Sequence, residues 1–407
     1  MKSKYSLQND LHKPEQLTIT LEGMTSEGDT YAYYNDEKIN VFGGIEGEEV
    51  VVEVIRYKRK GKSLTSAFVL QVLKPSRHRI NAPCPYFGKC TGCQWQHIDY
   101  PFQLILKRET ILRELQIYQS LQNVNVSDAL PSPELFNYRN HARFTVRNGA
   151  SLVFTNRLTR KFVRIDNCMI MAEGVNKILR KLQDKCGETR QLSIRYGIHT
   201  GQSLVQPKLH NPNITEETGQ THYRERLLGQ TFRIGSPSFF QVNTKQAENL
   251  VNVIKSSLSL DKSDVLVDAY AGVGTFAVLL AKHVKKVTAI EESYSAIKDA
   301  SINTENIRNL EYIHGKTEHV IDKIGIDSTC IILDPPRSGC HPKVLEALAN
   351  SAIKRIAYVS CDPNSMARDL DKLVDHSYLI KKIIPVDMFP HTHHIEIIAI
   401  LEYEQNN

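Results

Sequence analysis

Apolar and polar residues alternate in short runs over the first part of the chain. Residues 16–22, 29–34, 38–42, 48–56 and 67–72 are rich in β-branched and aromatic side chains, and Gly, Asp and Asn separate them. That is the pattern of strands and turns. Five short strands in so short a span predict a small barrel of the OB type, a fold that commonly binds nucleic acid in a groove of basic and aromatic residues. The basic segment Arg56–Lys62 is then expected as an exposed hairpin loop between the last strands. From about residue 100 to 121 apolar positions recur at helical spacing. Residues 130–236 are mixed and strand-rich, which predicts a central α+β domain.

The pattern changes at about residue 244. Short apolar runs at 264–268, 286–290, 310–313, 329–333 and 354–359 are separated by helix-length segments. This alternation predicts a doubly wound parallel sheet. Two later strands, 379–388 and 394–403, are joined by Phe389-Pro390-His391-Thr392-His393. The turn is too short for a parallel crossover, so these two should pair antiparallel. The expected domains are 1–76, an OB-like barrel; 77–240, the central α+β domain; and 241–407, a Rossmann-like α/β domain.

Composition narrows the class. With 41% hydrophobic and 24% charged residues, the 407-residue chain reads as an ordinary globular protein. No apolar run approaches the ~18–20 residues of a membrane span. The opening MKSKYSLQND lacks the apolar core of a secretory signal, so a cytoplasmic location is expected. The net charge of +6 is a weak pointer to a polyanion. Its distribution is more telling, with basic clusters at 56–62, 138–143 and 157–164, although each alone reads as a solvated face. Nothing suggests a coiled coil or obligate dimer, so a monomer is expected.

The first strand of the predicted sheet runs into Asp268-Ala269-Tyr270-Ala271-Gly272-Val273-Gly274-Thr275. Glycines here let the backbone turn and approach a ligand. Glu291 ends the second strand, where a carboxylate can accept both hydroxyls of a ribose. Gly272-x-Gly274-x-x-Ala277 also satisfies the dinucleotide fingerprint, with Glu291 near the distance seen for NAD. The acidic Asp268 favours a methyltransferase loop. The fourth strand ends in Asp334-Pro335-Pro336-Arg337-Ser338-Gly339 and the fifth in Ser360-Cys361-Asp362-Pro363. Ligands bind outside the carboxyl ends of such strands, so Gly272, Glu291, Asp334 and Cys361 should line one crevice. The amino end of the antiparallel last strand, with His391, His394 and Glu396, should reach the same edge. A cysteine and a carboxylate beside a nucleoside cofactor suit methylation at carbon 5 of uracil. That chemistry needs a thiolate to add at carbon 6 and a base to remove the carbon 5 proton. Taken singly, Cys361 reads as a buried structural cysteine and Glu396 as a surface carboxylate.

At these residues the chain resembles the RNA uracil-5-methyltransferase family, which makes 5-methyluridine in ribosomal and transfer RNA. The matching stretches are Phe239-Phe240-Gln241-Val242-Asn243, the Asp268–Thr275 loop, Asp334-Pro335-Pro336-Arg337-x-Gly339, Ser360-Cys361-Asp362-Pro363 with Ala367-Arg368-Asp369, and Phe389-Pro390-His391-Thr392-x-His394-x-Glu396. The resemblance implies a class I methyltransferase fold, Cys361 as nucleophile and Glu396 as proton acceptor. It implies that Gln241, Tyr270, Gly272, Gly274, Thr275, Glu291 and Asp334 form the S-adenosylmethionine site. Lys316 stands where the family often has Asn or Asp. The N-terminal region resembles the family's TRAM module, and family members flip the target base out of structured RNA.

Cys84-x5-Cys90-x2-Cys93 is a tight array, and spacing alone leaves zinc, an iron–sulfur cluster and a chance grouping of thiols open. The resemblance implies a 4Fe–4S cluster with Cys168 as fourth ligand, in a structural or RNA-binding role. It leaves Cys186, Cys330 and Cys340 without a role. It points to 23S ribosomal RNA as substrate, with transfer RNA as the alternative. A cytosine-5 RNA methyltransferase, a nicotinamide oxidoreductase and a non-catalytic RNA-binding iron–sulfur protein are the competing readings.

Overall fold

The computed structural model describes residues 15–59, 62–147, 149–324, 327–351 and 353–404. The opening segment read for a secretory signal lies outside them. The chain forms two compact units. One contains Met1–Gln103, Ser151–Ile165 and His391–His393; the other contains Leu104–Ala150, Asp166–Pro390 and His394–Asn407. The stretch 77–240, expected as one central domain, is divided between them. No described helix is long and apolar enough to cross a membrane.

The first unit is built on a six-stranded sheet in the order Gln16–Thr20, Glu49–Arg59, Lys62–Lys74, Glu37–Phe42, Thr30–Tyr34, Gly23–Met24. Its two edges are consecutive in the chain. The Leu21 N–H donates to the Glu48 carbonyl and the Glu22 N–H to the Tyr31 carbonyl, each at 2.9 Å. One bent segment, 16–24, therefore pairs with the strand 49–59 at its start and with the strand 30–34 at its end. Alternate residues, among them Ile19, Ile39, Val41, Val50 and Val52, fill the interior. The basic loop expected at Arg56–Lys62 is instead mostly strand. Pairing runs on to Arg59 opposite Lys62. Residues 60 and 61 lie outside the described residues.

The second unit contains the doubly wound sheet. Seven strands lie in the order Leu310–His314, Lys286–Glu291, Val265–Ala269, Cys330–Leu333, Arg355–Ser360, Glu396–Tyr403, Tyr378–Val386. The first five are parallel; Glu396–Tyr403 runs antiparallel to both its neighbours, so Tyr378–Val386 runs in the direction of the first five. Successive residues face opposite sides, and both sides are covered. Leu266, Ile332, Val359 and Ile398 belong to one apolar layer. Val267, Ile331, Tyr358 and Ile397 belong to the other. That double burial explains why these strands read as continuous apolar runs. Ser360 lies opposite Ile397, so the start of the last strand does meet the carboxyl ends of the parallel ones.

Candidate active site

Most of the site residues sit at the ends of strands of the seven-stranded sheet or in the turns beside them. Val265–Ala269 leads into Tyr270, whose φ is +68°, and Gly272, whose φ is +56°. A left-handed backbone at a non-glycine is strained and is tolerated where the surroundings enforce it. A Cβ on Gly272 would meet nothing within 4 Å, so its backbone is open to a ligand. Gly274 begins the helix Thr275–Ala281 with φ +100°. A Cβ there would lie 2.6 Å from the Tyr312 hydroxyl, which requires glycine. The Gly272 N–H donates to Glu291 at 2.7 Å and the Ser293 N–H to the other oxygen at 2.6 Å. A carboxylate has about four lone-pair positions, so Glu291 keeps acceptor capacity.

Cys361 follows the strand Arg355–Ser360 and precedes the helix Pro363–Asp375. Asp362 caps that helix, its carboxylate accepting from the Ser365 N–H at 2.9 Å, and Pro363 occupies the first turn. The thiol thus lies next to a helix N-terminus, a setting that favours thiolate. Asn243 caps Thr244–Ser257 in the same way, and its amide donates to the Met388 carbonyl at 3.2 Å. The Asn140 amide donates to the Gln241 carbonyl at 3.0 Å. These two buried asparagines position Gln241 and the turn before Glu396.

A cavity of about 560 Å³ brings the parts together. Gln241, Tyr270, Gly272, Glu291, Asp334, Cys361 and Glu396 all line it, as do Arg337, Phe389 and His394. Gly274 and Thr275 do not line it; they form the turn and helix start behind the loop. His391 groups with the other unit. A second cavity of about 680 Å³ shares Tyr270, Glu291, Asp334 and Pro336 and includes Lys316.

The cavity's charges are unbalanced. Burial pushes Asp334 up to about 7. Burial, then the nearby Asp334, raises Glu396 well above the carboxylate range, and Arg337 opposes this. Burial raises the Cys361 thiol, Glu396 raises it further, and Arg337 opposes this by charge and hydrogen bond. Behind the loop, burial pushes Asp268 up to about 8. One Asp268 oxygen accepts from the Ala277 N–H at 2.8 Å, and the other has no partner. A carboxylate-rich cavity with bare backbone at Gly272 fits a cationic nucleoside such as S-adenosylmethionine. Arg337 is the residue that sequence reasoning left without a role. Its only signal was its place in the Asp-Pro-Pro-Arg run.

Cys84, Cys90 and Cys93 lie on one loop of the first unit, and Cys168 belongs to the second; all four are partly buried. Burial raises the Cys90 thiol and the neighbouring Cys84 adds to this. Thiolates suit iron or zinc. Among the described residues, however, no group of three or more Cys, His, Asp or Glu is arranged to hold a metal ion.

The family model described as tRNA (Uracil-5-)-methyltransferase matches residues 224–404. An uncharacterized RNA methyltransferase of Oceanobacillus iheyensis is 31% identical, over 98% of this chain and 98% of its own. One of Nostoc sp. is 30% identical, over 97% and 98%. The chain belongs to the RNA uracil-5-methyltransferase family. It is accordingly an S-adenosylmethionine-dependent RNA methyltransferase. Among solved structures it is similar to the Pyrococcus abyssi tRNA (uracil-54, C5)-methyltransferase in complex with S-adenosyl-L-homocysteine. That likeness has a TM-score of 0.73 and 26% identity, covering 95% of this chain and 100% of that one.

Proposed function

We propose that this uracil-5-methyltransferase methylates carbon 5 of a uridine in structured RNA through a covalent adduct on Cys361. The observation that carries the reading is the convergence of Cys361 and Glu396 on one cavity with Glu291 and Asp334. Gln241, Tyr270, Gly272, Glu291 and Asp334 would hold S-adenosylmethionine, with Gly274 and Thr275 shaping the loop. When bound, the cofactor supplies an electrophilic methyl group. Uracil carbon 5 is a poor nucleophile. The Cys361 thiolate adds to carbon 6, and the electron pair moves into an enolate that makes carbon 5 nucleophilic. After methylation, Glu396 takes the carbon 5 proton, and the electron pair expels the thiolate. Arg337 stabilises the anionic forms of both groups.

The RNA proposed is 23S ribosomal RNA, on the resemblance of the N-terminal module and cysteine loop to ribosomal members of the family. Transfer RNA is the second reading, favoured by the full-length likeness to a tRNA methyltransferase. The three segments 1–76, 77–240 and 241–407 are proposed as TRAM-like, cluster-bearing and catalytic modules, in a cytoplasmic monomer. A 4Fe–4S cluster on Cys84, Cys90, Cys93 and Cys168 belongs to the same reading, supported by the thiol array and the resemblance. No step of the reaction passes through it. Iron and sulfide analysis of protein purified without oxygen tests it, four of each per chain being expected for one cluster. The main test uses methyl-labelled S-adenosylmethionine and total RNA from cells lacking the gene. Label in 5-methyluridine is expected, and the labelled fraction names the substrate. Label absent from both ribosomal and transfer RNA would overturn the reading.

A further inference from the structure

Asp369 lies on the helix Pro363–Asp375 and is fully buried. One of its carboxylate oxygens accepts from the Cys340 N–H at 2.7 Å and from the Tyr358 hydroxyl at 2.6 Å. The other accepts from the Arg368 guanidinium, from Nε at 2.9 Å and from Nη2 at 2.7 Å. Those donors fill the roughly four lone-pair positions of a carboxylate. Asp369 stands in the wall of the second cavity, yet it keeps no acceptor capacity for a ligand. In this it differs from Glu291.

Its partners come from the segments that build the site. Tyr358 is on the strand Arg355–Ser360, which ends next to Cys361. Cys340 ends the loop that begins at Asp334 and carries Arg337. Arg368 Nη2 also donates to the Ser338 carbonyl at 2.8 Å, and the Gly339 N–H donates to the Pro336 carbonyl at 2.8 Å. The packing is close: Gly339 has a φ of +82°, and a Cβ there would lie 2.4 Å from Arg368 Nη2 and 2.5 Å from an Asp369 oxygen. The loop that holds Arg337 is thus pinned at Ser338 and Cys340 to the helix that follows Cys361. The charges acting on Cys361 are Glu396, Arg337 and Asp334. Of these Arg337 is the positive one, so its distance from the sulfur sets how readily thiolate forms.

We propose that Asp369 is a positioning residue for the reaction: it fastens the loop 334–340 to the helix 363–375 and so holds Arg337 against the nucleophile Cys361. It rests on the proposed covalent mechanism and names a residue that reaches the reacting atoms only through Arg337. The sign of its effect is distinctive. Removing a negative charge would by itself pull a nearby thiol down. Losing the fastening does the opposite, because Arg337 moves off and the thiol rises. The loss falls on the chemical step and not on RNA affinity.

The experiment compares the full-length protein with Asp369→Asn, Tyr358→Phe, Arg337→Ala and Arg337→Ala/Asp369→Asn. The first readout is the pH dependence of iodoacetamide alkylation, followed by mass spectrometry on the peptide that contains Cys361. Asp369→Asn is expected to move the midpoint up by about 1 pH unit, and Tyr358→Phe to move it the same way by less. The double variant should show no rise beyond that of Arg337→Ala alone. The second readout is methylation of the RNA fraction labelled by the unaltered enzyme. There Asp369→Asn should lower kcat by roughly tenfold to a hundredfold with KM for RNA unchanged. A midpoint that stays or falls in folded Asp369→Asn would overturn the proposal, as would a further rise in the double variant. If Asp369→Asn does not fold, Tyr358→Phe decides in its place, an unmoved midpoint counting against the proposal. Alkylation needs no RNA. An unaltered enzyme that labels no RNA would therefore strike the methyltransferase reading, while the alkylation midpoints would still decide whether Asp369 holds Arg337 on Cys361.

Discussion

Cys361 and Glu396 are ordinary residues whose surroundings make them reactive. Both line the cavity with their acid forms favoured, so Cys361 must lose its proton to add and Glu396 must be ionised to take the carbon 5 proton. We expect kcat/KM to climb with pH through a limb that belongs to the pair jointly. Arg337 lowers both groups. Arg337→Ala should therefore move that limb to higher pH, and an unmoved limb would remove Arg337 from the mechanism. Cys361→Ala should abolish turnover, as read by label in 5-methyluridine. Glu396→Gln should stop after methylation and leave RNA covalently attached, visible as a slow-migrating band on a denaturing gel. The same substitution should stabilise the fold. A carboxyl raised in the folded state costs nothing below its ordinary pKa and increasingly destabilises as pH rises above it. At neutral pH Glu396→Gln should thus raise the thermal unfolding temperature, and the gain should fade as pH falls to the ordinary carboxylate range.

Elements carry these residues by their ends. The helix Pro363–Asp375 starts at Asp362-Pro363, an acceptor followed by a residue suited to the first turn. Asp362→Ala should cost about 1 kcal/mol and lower kcat by disturbing the neighbouring Cys361, a split that thermal melts and saturation kinetics measure. The turn before Glu396 has a less visible support. Lys107, on the helix Tyr100–Leu115, forms a fully buried ion pair with Asp387, and its ammonium also donates to the Phe389 carbonyl at 3.1 Å. Removing one partner leaves a buried charge alone. Lys107→Met should cost roughly 3–5 kcal/mol in denaturant unfolding, and Lys107→Met/Asp387→Leu should recover most of it. A single variant as stable as the double would mean the pair does little. No local pattern marked Lys107, because its partner lies 280 positions along the chain.

At the scale of the molecule, the two units divide the labour that the proposed function requires. The doubly wound sheet gathers the chemistry at one edge, and the first unit carries the cysteine loop. If the cluster is present, loss of iron through Cys90→Ser should weaken RNA binding or folding and leave the rate at saturating RNA unchanged. Iron content, KM and kcat read this directly. A lowered kcat in folded protein would instead tie the cluster to the chemical step.

Local order was written into the chain. Apolar runs marked the seven strands, and the central ones, buried on both faces, need apolar residues almost throughout. Glycines marked the cofactor loop, because only glycine takes the backbone angle of Gly274 without striking Tyr312. Strand ends marked Glu291, Asp334, Cys361 and Glu396, because parallel sheets open at that edge, while Gln241 was marked only by the family resemblance. What the tertiary structure decided was of longer range. It divided residues 77–240 between two units and carried the basic hairpin on as strand. It set Arg337 against Cys361 and Glu396, and it brought Cys340, Tyr358 and Arg368 onto the carboxylate of Asp369. The reason is the same in each case: local sequence governs backbone conformation and which face is buried, while charge pairing and cavities depend on residues that meet only after the chain has folded.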